Sequence, residues 1–448
     1  MQFFTELPLT ANPAAPRPLP AAADVVVDTA NVSTTPPASK QPEKTYAAIW
    51  PDYFARLGAP DATSWHYPGH WPDTRRVWKA YYQFMAAHPI IALRGMRQFY
   101  RSLAYRVGGN AVGERSYLPI ALLTPLLLFT TPLLALAAVS LASIPAVKRH
   151  TPPLFAPFTV TGWTNYCVML ALVFTLHGYR QQRGGLHPAQ AARHSSKLFW
   201  NDFFRAELPA GHFPTEVCTV CADGKIDGQL PLADIVIKPL ASGAGHLLRA
   251  LRWDAADESY SCTDRERGAG EASRYTPDEL ISHLRNTGLN MVVERWIRPR
   301  RPLPVCSLRI LTLCVAGQAE LICVAFLPAP DGSNSTAYFD LDVYAVDYEH
   351  NTIGAPLAAG SSGTLQGLPL PELPAVIETC LRLHEKLAQH LQVSWDVIPA
   401  PKGPVYLEGN VFPPGCDYKL TLFKNDNNFR YLVDRVLGEH AAPDGTGA

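Results

Sequence analysis

The chain has 448 residues, with 39 Lys+Arg against 39 Asp+Glu, and nine cysteines. That length allows two or three domains, and the balanced charge gives no sign of a nucleic-acid partner recruited by bulk positive charge. An odd number of cysteines, scattered through apolar runs, fits free buried thiols in a reducing compartment better than a disulfide framework.

Residues 1–45 are rich in Pro, Ala and Thr and read as a disordered tail. No basic segment followed by an apolar core and a cleavage site opens the chain, so no signal peptide is expected. Residues 46–115 form an aromatic, Arg-rich helical region, with Arg94, Arg97, Arg101, Arg106 and Arg115 toward its end. His66 and His70 lack a third metal ligand. Residues 116–147 and 151–176 carry no charge, and about 20 apolar residues span a bilayer. Residues 116–179 are therefore expected to form a membrane-embedded helical hairpin, spanning or re-entrant. A buried helical core is the bland alternative, and Pro119, Pro125, Pro132 and Pro145 oppose one straight helix. Arg180, Arg183 and Arg193 follow, so the positive-inside tendency places the catalytic domain on the cytoplasmic side. Lys148 and Arg149 in the connecting loop oppose that orientation.

From residue 187 to about 440 the pattern is α+β. Residues 195–204 read as a helix carrying Lys197, and 215–220 as a strand. The pair Cys218 and Cys221 lacks the two further ligands of a zinc site. Residues 234–238 read as a buried strand ending in Lys238, followed by a small-residue loop with Gly243, Ala244 and Gly245. Thr276, then Pro277, Asp278 and Glu279, mark a helix start. Residues 291–297 form a strand entering a Pro/Arg linker, and 308–315 with 319–326 a hairpin around Gly317. Residues 354–370 read as a loop, 374–390 as an amphipathic helix, and 418–437 as a closing helix.

Between the last two helices lies the most informative stretch, SWDVIPAPKGPVYLEGN, residues 394–410. Residues 393–398 and 405–410 read as two strands around a Pro/Gly turn. A loop centred on Lys402 sets Asp396 opposite Glu408, with Asn410 on the same face, and opposed Cβ atoms lie about 5 Å apart. Two carboxylates that close need a cation between them, and oxygen ligands of this kind suit Mg²⁺, which fills its shell with nucleotide phosphates. A lysine at a strand end before a glycine loop suits a polyphosphate, although KPLASGAG is neither a P-loop nor a dinucleotide fingerprint. Bland readings remain for each group. Lys197 can be a solvated helix residue, and Glu294 can pair with Arg295 or Arg298 on the surface. Arg309, inside an apolar strand, needs a partner.

In this order of parts the chain resembles the ATP-grasp superfamily, and within it the sugar-transfer-associated ATP-grasp proteins. The resemblance covers residues 187–437 and rests on Leu308-Arg309-Ile310-Leu311-Thr312, Trp395-Asp396-Val397 and Glu408-Gly409-Asn410. It implies an ATP-grasp fold and an ATP site. Lys197 and Lys238 would hold the α- and β-phosphates, and Gly243, Ala244 and Gly245 would cap them. Val293, Glu294, Arg295 and Trp296 would line adenine and ribose. Asp396, Glu408 and Asn410 would bind one or two Mg²⁺ ions, and Arg309 would neutralise the transferring phosphoryl group. D-Ala–D-Ala ligase-like members carry an Arg two residues before the hairpin Asp, where this chain has Ser394. The implied activity is ligation of a carboxylate to an amine through an acyl phosphate, on small-molecule substrates or polysaccharide precursors, and the expected membrane hairpin points to a lipid-linked substrate at the bilayer. Phosphoryl transfer to a hydroxyl on the same ATP site, and an inactive membrane-anchored nucleotide-binding scaffold, are the alternatives.

Overall fold

The computed structural model describes residues 177–411, apart from 179, 182–183, 216, 222, 241–248, 263–272, 316, 330–342 and 357–362. It also describes positions 82, 86, 89–90 and 93–95. Two antiparallel sheets dominate the described residues. Two helices open the chain order, α1 (Pro188–Arg193) and α2 (Lys197–Glu207). The first sheet has seven strands: β1 (Val217–Val220), β2 (Ile226–Asp227), β3 (Ile235–Pro239), β4 (Arg249–Asp254), β5 (Ser259–Cys262), β6 (Ser273–Tyr275) and, after α3 (Pro277–Asn286), β7 (Met291–Arg295). Their spatial order is β2-β1-β7-β3-β4-β5-β6. The second sheet has six: β8 (Cys306–Val315), β9 (Gln318–Pro328), β10 (Tyr344–Asp347), β11 (Thr352–Pro356) and, after α4 (Leu373–Glu385), β12 (Gln392–Ala400) and β13 (Gly403–Asn410). Their order is β11-β10-β9-β8-β12-β13.

Each sheet buries one face under helix. Helix α3 starts where its cap residues direct. Thr276 Oγ1 accepts from the Glu279 amide, the Glu279 carboxylate accepts from the Thr276 amide, and Pro277 occupies the first turn. Its Leu280 and Leu284 close a core with Cys218, Val220, Ile235, Ile237, Tyr260 and Val293. Each such side chain withdrawn from water contributes about 1.5–3 kcal/mol. On the second sheet, α4 buries the stripe Leu373, Val376, Ile377, Cys380, Leu383 and His384, at the spacing that one helix face requires. Helix α2 lies against the same face, its Trp200 and Phe204 meeting Trp395 of β12.

Several expectations change. Residues 354–370 are not all loop: β11 runs to Pro356, and Thr352 bridges to Pro369. Gly354 serves close approach rather than a turn, since a Cβ there would come within 3.2 Å of Ala345. The helix expected over 374–390 ends at Glu385, and the next residues turn back so that His384 Nε2 donates to the His390 carbonyl at 3.1 Å. Strands β4 to β6 were not anticipated, because polar residues interrupt their short alternation. The packed body reaches back before residue 187. Gln181 meets His177 and His390, and Arg180 donates to the Cys314 carbonyl. Among the described residues no helix is long and apolar enough to cross a membrane. The apolar runs at 116–176, the tail at 1–45, nearly all of 46–115 and the closing helix at 418–437 lie outside the described residues.

Candidate functional site

Strand alternation decides which side chains leave the helix-covered faces. On β3 and β7, Ile235, Ile237 and Val293 point under α3, so Lys238 and Glu294 emerge on the opposite face. The register pairs Val236 with Glu294 and Lys238 with Val292. Lys238 and Glu294 are thus diagonal neighbours, and Lys238 Nζ lies 2.6 Å from Glu294 Oε2, with both side chains at most 10% exposed. On β12, Trp395 faces the helices, which turns Ser394 and Asp396 the other way.

The hairpin β12–β13 brings Asp396 opposite Glu408 and Ser394 opposite Asn410. The route to that pairing differs from the expected symmetric loop. Ala400 pairs with Gly403, leaving a two-residue turn at Pro401 and Lys402, and the register shifts by one beyond Val397–Tyr406. Leu407 is the extra residue of a bulge. Without it Glu408 would point toward the helices, because a one-residue slip exchanges the faces of a strand. Gly409 has its own reason: a Cβ there would lie 2.5 Å from the Trp200 ring. Helix α2 therefore seats directly on β13, and this seating carries Lys197 to within 3.9 Å of Glu408 Oε2.

Arg309 on β8 stands opposite Asp396 in register. Its Nη2 lies 2.6 Å from Oδ1 and donates to Oδ2 at 2.7 Å, and the residue is 2% exposed. The resemblance implies that this guanidinium neutralises a transferring phosphoryl group; in the structure it is directed at the carboxylate of Asp396. Asn410 Nδ2 also donates to Asp396 Oδ2, at 3.2 Å.

These groups act on one another across the two sheets. Burial opposes the charge on Lys238, but the carboxylates of Glu294, Glu408 and Asp396 outweigh it and hold its pKa above the ordinary lysine value. Burial likewise favours protonation of Glu408. Lys197, Lys238 and Arg309, with a hydrogen bond from Asn410, reverse that and keep its pKa below the usual value. The cluster thus joins three cations, Lys197, Lys238 and Arg309, to three carboxylates, Glu294, Asp396 and Glu408.

The remaining expected residues fall elsewhere or outside. The Val293 side chain belongs to the core under α3, so only its backbone could line a ligand. Arg295 is exposed. Trp296 is buried, its amide bonded to the Asp234 carbonyl at 2.7 Å and its ring covered by Arg298 at 4.4 Å. Gly243, Ala244 and Gly245 lie outside the described residues. Sequence reasoning missed two groups. Ser394 is fully buried with its hydroxyl unbonded, and Asn201, one turn after Lys197, has an unbonded buried Oδ1. For Ser394 the alternation with Asp396 was the available signal.

The arrangement suits a metal-bound polyphosphate. Among the described residues no group of three or more His, Cys, Asp or Glu could hold a metal; Asp396, Glu408 and Asn410 offer two carboxylates and an amide. Such a partial set matches Mg²⁺, which retains waters and phosphate oxygens. The cluster holds equal numbers of positive and negative side chains, so a metal-bound polyphosphate disturbs its balance less than the bare anion does.

No protein-family model and no curated protein matches the chain. Solved structures do. An L-amino acid ligase from Bacillus licheniformis aligns at 12% identity over 59% of this chain and 53% of its own, with TM-score 0.34. The chain thus spans about half the length of that relative. A D-alanine–D-alanine ligase from Bacillus anthracis aligns at 13% identity over 58% and 74%, with TM-score 0.35. A RimK domain ATP-grasp protein from Sphaerobacter thermophilus aligns at 14% over 56% and 70%, with TM-score 0.29. At these scores the likeness does not establish membership of a family.

Proposed function

We propose that this chain is an ATP-grasp ligase that uses ATP and Mg²⁺ to activate a carboxylate as an acyl phosphate and couples it to an amine. One observation carries the reading. Lys238 from the first sheet and the Asp396–Glu408 pair from the second lie within electrostatic range of one another, with Lys197 and Arg309 completing the cluster. Lys197 and Lys238 hold phosphate oxygens as compact charges. Asp396, Glu408 and Asn410 hold Mg²⁺, whose chemistry when bound is to neutralise charge developing on the transferred group. Arg309 orients Asp396 and adds positive charge to the same place. The adenine end lies toward Glu294 and the backbone of β7. Charge placement and positioning suffice for phosphoryl transfer, so no protein nucleophile is assigned.

Membrane attachment through residues 116–179, with the catalytic domain on the cytoplasmic side and a lipid-linked or polysaccharide-related substrate, belongs to the same proposal. It rests on the apolar runs in the sequence.

The test is turnover. Purified full-length protein with Mg-ATP and a panel of carboxylates and amines is expected to release ADP and phosphate together with an amide product. Glu408→Gln is expected to lower that rate at least 100-fold in protein whose circular dichroism shows it folded. Phosphorylated product without free phosphate would select a phosphotransferase, and ATP binding without any turnover would select an inactive scaffold.

A further inference from the structure

We propose that His194 and His390 are positioning residues for the nucleotide site: the hydrogen bond between their rings ties the start of α2, which carries Lys197, to the start of β12, which carries Asp396, and acid releases it. This rests on the ATP-site reading above and adds to it what holds the phosphate lysine in place.

Three observations carry it. First, the bond joins two site-bearing elements at their roots. His194 Nδ1 and His390 Nε2 lie 2.8 Å apart. His194 stands just before the Ser196 cap of α2, and its ring stacks on Phe199 of that helix with centroids 4.0 Å apart. His390 stands just before Gln392, where β12 begins. Lys197 Nζ lies 3.9 Å from Glu408 Oε2, near the outer limit of an ion pair, so a small shift of α2 ends the contact. Second, the hydrogen bonds have a fixed direction. The Gln181 amide nitrogen lies 2.7 Å from His177 Nε2 and 3.4 Å from His390 Nδ1. An amide nitrogen only donates, so in a neutral ring His390 Nδ1 accepts, Nε2 carries the proton, and Nε2 donates to His194 Nδ1. Third, His390 is itself anchored to the strand of Asp396. Its carbonyl accepts from His384 Nε2 at 3.1 Å, His384 Nδ1 lies 2.7 Å from Thr312 Oγ1, and that hydroxyl accepts from Trp395 Nε1 at 2.9 Å.

A proton on His194 Nδ1 meets the Nε2–H of His390 and removes the bond. The groups facing the pair are Arg180, Gln181 and His177 from the segment before α1, Arg193 of α1 and His384 of α4. Burial, with the charges around them, holds both rings below the ordinary histidine value. Docked values lie below undocked ones, so the undocked form binds protons more tightly and acid favours release of α2.

The experiment uses full-length protein with Mg²⁺ and a non-hydrolysable ATP analogue. His194→Leu, in protein that circular dichroism shows folded, is expected to bind the analogue at least tenfold more weakly than wild type at pH 7.5. His194→Asn keeps an acceptor near the place of Nδ1 and does not titrate; it is expected to bind within threefold of wild type. In a Lys197→Met background, His194→Leu is expected to cost less than a further twofold, because it acts through that lysine. Hydrogen exchange of the α2 amides, corrected for intrinsic rates, reads the docking itself and serves even where His194→Leu does not fold. Between pH 7.5 and 5 their protection is expected to fall at least tenfold more in wild type than in His194→Asn. Unchanged affinity in folded His194→Leu, an undiminished loss in the Lys197→Met background, or equal falls in protection overturns the positioning role while leaving the ATP site standing. No analogue binding by wild type under any condition overturns the proposed function and this inference with it.

Discussion

Gly409 shows how a single residue can be fixed by packing rather than by backbone conformation. The Trp200 ring occupies the space a side chain would need, with three ring carbons within 2.8 Å of an ideal Cβ. Gly409→Ala is expected to destabilise by about 1–3 kcal/mol, the usual cost of overpacking, and to weaken nucleotide binding because α2 carries Lys197 toward Glu408. Pairing it with Trp200→Leu is expected to recover part of the loss, a non-additive result that chemical denaturation of the two single variants and the double variant would read directly. Full additivity would mean that the ring contact is not the cause. At the same scale Arg309 has a protein partner as well as its expected role. A charge inside an apolar strand needs a partner, and the register supplies Asp396 before any ligand arrives.

Elements divide into those that only hold the frame and those that aim the site. Helix α3 is of the first kind. Its capping box fixes its start, and it covers the face of the first sheet that lies away from Lys238 and Glu294. Thr276→Ala is expected to cost about 1 kcal/mol of stability and to leave ATP turnover at the wild-type rate at 25 °C; a loss of turnover greater than threefold in folded protein would show that this face is coupled to the charged cluster. The β12–β13 hairpin is of the second kind. Its bulge turns Glu408 toward Asp396, and the back of β12 is fastened by a chain of hydrogen bonds. Trp395 Nε1 donates to Thr312 Oγ1 at 2.9 Å, and Thr312 lies 2.7 Å from His384 Nδ1. The same hydroxyl lies 3.1 Å from the Val393 carbonyl oxygen. Burial keeps the His384 ring neutral, and since Nε2 donates to the His390 carbonyl, Nδ1 is left as an acceptor facing the threonine hydroxyl.

At the scale of the described body, buried neutral imidazoles make stability depend on pH. Burial pushes His384 down to about 3, with Arg180 adding to the effect. Burial and the nearby Arg193 push His194 down to about 4. Burial, with His177, His194, His384 and Arg180 around it, holds His390 well below the ordinary value. His194 Nδ1 and His390 Nε2 lie 2.8 Å apart, so a proton on both removes their shared hydrogen bond. Folded values lie below unfolded ones, so the unfolded chain binds more protons as pH falls below about 6.5. Stability is therefore complete above that pH and is lost on acidification from about 6.5 toward about 4, by up to about 1.4 kcal/mol per pH unit for each imidazole. Denaturant midpoints between pH 7.5 and 4.5 would check this, and a flat profile would exclude buried neutral histidines.

Much of the frame was legible in the chain itself. Strand alternation, the Thr276 cap and the Gly317 turn are local signals, and local steric and hydrogen-bonding preferences are enough to set them. The WDV and EGN segments together with Lys238 were legible as candidate-site pieces, because charged residues inside apolar strands need partners that short-range structure cannot supply. Sequence also carried the apolar runs at 116–176. Tertiary structure decided which partner each charge takes. It directed Arg309 to Asp396 and Lys238 to Glu294, turned Val293 under α3, used a bulge at Leu407 to aim Glu408, and left Ser394 buried and unbonded. These outcomes depend on register and on the approach of segments far apart in the chain. No local pattern encodes them, because Coulomb attraction and close packing act on distances that exist only once the chain is folded.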